Sequence, residues 1–240
     1  KYGMLWKGDW RHRLAKGEYT VKVAGIDQGA DPTATSGVTD PGWRGSIQTR
    51  GQFSLSSWWR YGWDITADSD AAFRRFYQLD PIIQTDRVNT VYLQGMSDRN
   101  YFAAKLYQFG GLLLTDTPYS DACVHPVIDY NSIAGTPILG GALSFNAHAR
   151  SMTRSDSTDT NRLVVEANWR RKLIDPVGQV WTPFANARGD VYSYSDARDP
   201  VTLAPIADDT VLRGVAAAGV LYSYPFVAPT ASASHVVDPT

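Results

Sequence analysis

Between Arg44 and Asp68 the chain alternates. Odd positions carry Ile47, Thr49, Gly51, Phe53, Leu55, Ser57, Trp59, Tyr61, Trp63 and Ile65. Even positions carry Ser46, Gln48, Arg50, Gln52, Ser54, Ser56, Trp58, Arg60, Gly62 and Asp64. Successive side chains of an extended strand point to opposite faces, so this period of two predicts a strand with one apolar and one polar face. Read as one strand, the run is about twice the ordinary length. A strand tilted across a bilayer needs about 9–11 residues for the hydrocarbon alone, so the length favours a membrane barrel over a soluble sandwich. Trp58, Trp59, Tyr61 and Trp63 gather at its end, where an interfacial aromatic girdle would stand. A hydrophobic sandwich core is the other reading of the same alternation.

The pattern recurs twice. In Ala142–Ser151, Leu143, Phe145, Ala147 and Ala149 oppose Ser144, Asn146, His148 and Arg150. In Arg162–Leu173, Leu163, Val165, Ala167 and Trp169 oppose Arg162, Glu166, Asn168, Arg170 and Lys172, and Arg171 falls in the apolar phase, where it needs an interface to snorkel to. These phases predict lumen-facing Arg50, Arg60, Asn146, His148, Arg150, Arg162, Glu166 and Arg170. They predict membrane-facing Phe53, Leu55, Trp59, Trp63, Leu143, Phe145, Val165 and Trp169. Arginines lining a lumen can attract anionic solutes or phosphorylated lipid heads, or can be held in salt bridges with partners such as Glu166.

Strands whose faces are harder to assign are expected at Met4–Leu14, Glu18–Ile26, Val88–Met96, Tyr101–Leu114, Phe184–Ser195 and Arg213–Phe226. Turn-rich joints at 29–42, 154–161 and 196–209 separate them. Two segments break the meander. Ser69–Leu79 reads as a short helix capped by Ser69 or Asp70, with Phe73, Phe76 and Tyr77 on one side. Thr115–Gly141 is a long segment with three prolines, in which Pro126–Tyr130 is a further strand candidate.

Composition agrees with an all-β fold: 13 Tyr, 8 Trp and 8 Phe stand against 3 Met, with 20 Gly and 13 Pro. The formal charge of -1 offers no electrostatic footprint for a nucleic acid. One cysteine, Cys123, excludes an intrachain disulfide and a Cys-based zinc cage in this chain. No apolar run reaches the length of a transmembrane helix, which a membrane barrel would not show either. Lys1 at the start and HVVDPT at the end read as cut ends of a longer protein.

Motifs of chemistry are sparse. Asp64, Asp68 and Asp70 lack the glycine and terminal glutamate of a calcium loop, and capping and a strand end explain them. His12, His125, His148 and His235 form no ligand pair, and structural roles are expected for them. Neither a nucleophile elbow nor a phosphate-binding glycine loop occurs, and Cys123 lacks the setting of a catalytic thiol. No cofactor, metal or enzymatic activity is expected.

Several segments in order resemble the barrel domain of the LptD family of lipopolysaccharide-assembly proteins. They are WWRYGWDITADSDAAFRRFYQLD (58–80), VNTVYLQGMSDRNYFAAKLYQFGGLL (88–113), VHPVIDYNSIAGTPILGGALSFNAHARSMTR (124–154), NRLVVEANWRRKLIDPVGQVWTPFANARGDVYSY (161–194) and SYPFV (223–227). The resemblance covers roughly 44–227. It implies a large antiparallel transmembrane β-barrel of the cell outer membrane, plugged by an LptE-like lipoprotein and delivering lipopolysaccharide through a lateral opening into the outer leaflet. On this reading residues 1–240 are a partial barrel domain. The periplasmic jelly-roll domain that meets the other lipopolysaccharide-bridge components, the closing strands and the paired cysteines of some members are not in it, and the lateral gate cannot be placed on it. A porin-like channel and a soluble carbohydrate-binding β-sandwich, with Asp64 or Glu166 as an acid, are the rival readings; the second lacks a partner carboxylate on the same face.

Overall fold

The computed structural model describes residues 3–29, 42–70, 73–79, 86–111, 122–154, 157–199, 201–202, 204–229 and 232–237. Its strands are β1 (Trp6–Leu14), β2 (Gly17–Gln28), β3 (Gly42–Ser54), β4 (Trp59–Asp68), β5 (Asp86–Met96), β6 (Asn100–Gly111), β7 (Ala122–Ile133), β8 (Ala142–Arg154), β9 (Asp159–Arg170), β10 (Leu173–Ile174), β11 (Val180–Ser195) and β12 (Asp209–Ser223). These twelve form one antiparallel sheet in sequence order, with the two-residue β10 beside β11 just past the end of β9. A small separate hairpin, β13 (Phe226–Pro229) and β14 (Ser234–Val237), follows. Apart from β10, the strands of the large sheet run from 9 to 16 residues, each long enough for a tilted bilayer crossing.

Residues directly opposite each other in an antiparallel pair share a face, so the register sorts the whole sheet. One row runs Ala104, Ile128, Ala149, Leu163, Val191, Leu212 from β6 to β12, and is apolar throughout. A neighbouring row on the other face runs Tyr101, Asn131, Asn146, Glu166, Arg188 from β6 to β11. At the start of the sheet, Lys7, Asp9, Arg11 and Arg13 of β1 stand opposite Ala24, Lys22, Thr20 and Glu18 of β2, while Trp10 stands opposite Val21.

The sheet is a single layer. No second sheet packs on the apolar face among the described residues, and Trp10 and Trp43 remain 60% and 65% exposed. The buried core is instead a small cluster on the polar face. There the helix α1 (Phe73–Phe76) brings Phe73 onto Ala24 and Ile26, with Leu5, Tyr77 and Leu79 packed around them. Arg44 fixes this segment: Nη2 and Nε donate to the two carboxylate oxygens of Asp70 at 2.6 and 2.8 Å, and Nη1 donates to Gln28 Oε1 at 3.1 Å. The same guanidinium lies 5.6–5.8 Å from the ring centres of Phe73, Phe76 and Tyr77. Arg74 adds a bond to Ser46 Oγ at 2.8 Å.

Several expectations are corrected. The run 44–68 is a hairpin rather than one long strand, turning at 55–58, where the Ser56 hydroxyl accepts from the Trp58 and Trp59 amides, each at 3.2 Å. Because Ser54 pairs Arg60 and Phe53 pairs Tyr61, the turn keeps odd with odd and hides the break in the alternation. The helix expected over Ser69–Leu79 is α-helical only from Phe73 to Phe76, with 71 and 72 outside the described residues. The expected break at Thr115–Gly141 holds a full strand, β7, and its residues 115–121 are also outside the described set. Pro126 fits there because it sits in a register irregularity between Val124 and Val127, where a missing N–H costs no ladder bond. The strand expected at Arg213–Phe226 ends at Ser223, and Phe226 opens β13. Residues 112–114 of the expected Tyr101–Leu114 strand and most of the 29–42 joint lie outside the described residues.

Candidate functional site

The feature that carries chemistry is a polar sheet face backed by an apolar one. On the polar face Arg50 Nε donates to Asp64 Oδ2 of the facing strand at 2.8 Å, and Arg60 donates to Gln94 at 3.1 Å. Further along, Asp129 meets His148 Nδ1, and the Asn131 amide donates to Asn146. Glu166 accepts from Asn168 at 2.6 Å. Arg150 and Arg162 stand directly opposite each other on β8 and β9, a like-charged pair relieved on one side by Asp190, which accepts from Arg162 at 3.0 Å and from Arg188 at 2.9 Å. Arg170 closes β9 between Ala142 and Phe184. The eight polar candidates therefore share one face. The register brings Arg150 against Arg162 and Asn146 against Glu166, while Arg50 and Arg60 lie several strands away.

The apolar candidates occupy the opposite face, with one exception. Phe53 stacks on Tyr61 and Trp63 with ring centres 5.6 and 5.8 Å apart, and Trp59 leans on Phe102 at 5.6 Å. Trp63 Nε1 donates to Thr49 Oγ1 at 3.0 Å and Trp169 Nε1 to the Ile138 carbonyl at 2.7 Å, so neither indole N–H is left bare on an apolar surface. Leu143 pairs Trp169, Val165 pairs Ala147, and Phe145 meets Tyr130 edge-on. Leu55 is the exception: it lies in the 55–58 turn, not on a strand.

Asp64, Asp68 and Asp70 each face a different arginine, respectively Arg50, Arg87 at 3.6 Å and Arg44, and so are spent on separate ion pairs. Of the histidines, His12 stacks on Trp10 and lies tilted against Tyr19, His125 lies in β7, His148 is tied to Asp129, and His235 pairs Ala228 in the small hairpin. Cys123 is a half-buried strand residue opposite Gln108 and Thr153. Sequence reasoning passed over Asp129, Asn131, Arg188 and Asp190, although Asn186, Arg188 and Asp190 alternate with Ala187, Gly189 and Val191. In the loop between β11 and β12, the amides of Thr202 and Val201 donate to Asp199 at 2.7 and 2.9 Å and hold its carboxyl below the usual carboxylate range.

A family model described as LptD, LPS transport system D, matches residues 42–240. The chain belongs to the LptD family. No curated protein matches it. LptD proteins are outer-membrane β-barrel proteins of lipopolysaccharide transport, and a two-faced meander is what a section of such a barrel wall requires. The match begins at β3, and β1 and β2 extend the same sheet ahead of it. Among the described residues of this LptD sheet no helix is long and apolar enough to cross a membrane.

Proposed function

We propose that the chain forms part of the wall of the lipopolysaccharide translocon, its polar face turned to the lumen and its apolar face to lipid. The observation that supports this most is the cross-strand register, which sets Arg50, Arg60, Asp64, Asn146, His148, Arg150, Arg162 and Glu166 on one face and leaves large aromatic and aliphatic residues uncovered on the other face of a single layer. Water provides no reason to build such a surface, whereas a bilayer does. The polar face gives the charged, phosphorylated head of lipopolysaccharide a hydrated route of arginines, asparagines and carboxylates. No residue has to make or break a covalent bond, and energy comes from partners elsewhere. The connections at one sheet end, 15–16, 55–58, 97–99, 134–141 and 171–179, are on the whole shorter than 29–41, 69–85, 112–121, 155–158 and 196–208 at the other. Short turns mark the periplasmic side of outer-membrane barrels, which directs α1 and its Arg44 latch to the outer side. A lumen of this kind also accommodates an LptE-like plug, and the periplasmic lipopolysaccharide-bridge components would meet the protein on the short-turn side.

Photocrosslinkers placed at Arg50, Arg60, Asn146 and Arg150 in the full-length parent test this, with Phe53, Phe145 and Trp169 as outward controls. During transport the first set should give adducts to lipopolysaccharide or to the plug lipoprotein, and the controls should not. A parent that conducts small solutes and yields neither adduct would be a porin-like channel.

A further inference from the structure

At the short-turn end of the sheet β9 ends at Arg170, and Arg171 and Lys172 follow it directly, making three consecutive cations. They border a cleft of about 960 Å3 whose other walls are Gly140, Gly141, Ala142, Val180, Thr182 and the β12 residues 220–223. Continuing the register of β9 and β10 on β11, Arg170 and Lys172 stand in the polar phase with Val180, Thr182 and Leu221. Arg171 lies in the opposite phase and is held: its Nη1 donates to the Leu139 carbonyl at 3.1 Å. Gly140, at φ +72°, lets it in, since a side-chain carbon there would lie 2.8 Å from the guanidinium carbon.

None of the ion pairs among the described residues engages Arg170, Arg171 or Lys172. This contrasts with Arg50, Arg162 and Arg188, which share the polar phase with Arg170 and Lys172 and are each matched to an aspartate. Arg170 and Lys172, sharing a face with Val180 and Leu221, complement an amphiphile that bears a phosphate and acyl chains. The level in the membrane fits. Trp181 and Tyr222 pair with ring centres 4.6 Å apart at this end of β11 and β12, and such aromatics stand at the headgroup depth.

We propose that this cleft is a binding site for the phosphate of an anionic lipid headgroup at the periplasmic rim, an inference that rests on the barrel-wall reading above. Arg170 and Lys172 take the phosphate, Arg171 fixes the turn that walls the cleft, and Val180 and Leu221 meet the first carbons of the chains. Two sources carry this chemistry: the phosphorylated glycolipid being transported, and a phospholipid of the surrounding leaflet.

The test uses the full-length parent with its partners in nanodiscs, with a photocrosslinker at Thr182 inside the cleft and another at Asn146 in mid-wall. Bisphosphorylated lipid A, its dephosphorylated form and phosphatidylglycerol serve as labelled probes. Adducts at Thr182 should form with a phosphorylated probe and not with dephosphorylated lipid A. They should fall about fivefold or more in R170Q/K172Q and return in the charge-keeping R170K/K172R, which also controls for folding. An adduct with lipid A assigns the transported glycolipid as the source, and one with phosphatidylglycerol alone assigns the bilayer. No lipid adduct at Thr182, an adduct indifferent to the charges, or an adduct to a plug protein alone would overturn the site. If Asn146 captures lipid A while Thr182 captures nothing, the site fails and the transport reading stands. Silence at both positions removes the transport reading as well.

Discussion

Glycines face aromatic rings across the sheet. Gly51 stands opposite Trp63, Gly25 opposite Trp6, Gly95 opposite Trp59 and Gly219 opposite Phe184. In each couple the ring lies over the bare backbone, and a side-chain carbon built on Gly51 would stand 2.4 Å from the Trp63 indole. Gly51→Ala should therefore force the indole aside, strain its bond to Thr49 and cost about 1–3 kcal/mol. Urea unfolding of the parent barrel in vesicles measures this, and an unchanged midpoint would contradict the packing. Asp199 gives a pH-dependent case. Its native pKa is lowered from 3.8, chiefly by the Thr202 and Val201 amides, so its contribution to the loop is complete above that value and is lost as pH falls through the lower native one. A carboxyl NMR titration should place its midpoint below 3.8, and a midpoint at or above it would show that the amide bonds do not form.

At the scale of elements, alternation told the two faces apart wherever polar and large apolar side chains took turns, as in β8 and β9. It failed to show where β3 ends, because the Leu55–Trp58 turn carries neither glycine nor proline and preserves parity. It also failed on β7, where Pro126 was legible as a strand breaker but the irregularity that accommodates it was not. The candidate site was half legible for the same reason. Single faces could be read along β8 and β9, but the partners Asp129 and Asp190 come from strands whose alternation is blurred by proline or by small residues. The sorting of β8 has a quantitative consequence. Ala147, mid-strand in the apolar phase, should cost about 2–4 kcal/mol when replaced by Arg, as for a lipid-facing charge near the bilayer midplane. The adjacent His148→Arg places its charge in the polar phase beside Asp129 and should cost much less. Equal losses for the two variants in a vesicle unfolding assay would mean that the strand does not separate lipid from water.

At the scale of the whole molecule, the large sheet is a single antiparallel layer with two chemically different faces, and the proposed function depends on those faces meeting different solvents. The family assignment covers β3 onward and says what kind of barrel this is, while the cross-strand register says which side chains share a surface. The most direct test is a spin-label scan along β8 in the Cys123→Ser background of the parent in liposomes, one label at a time from Leu143 to Arg150. Collision with oxygen should peak at Leu143, Phe145, Ala147 and Ala149, and collision with a water-soluble nickel chelate at Ser144, Asn146, His148 and Arg150. A flat profile, or one with the two phases exchanged, would contradict the assignment of faces on which the functional reading depends.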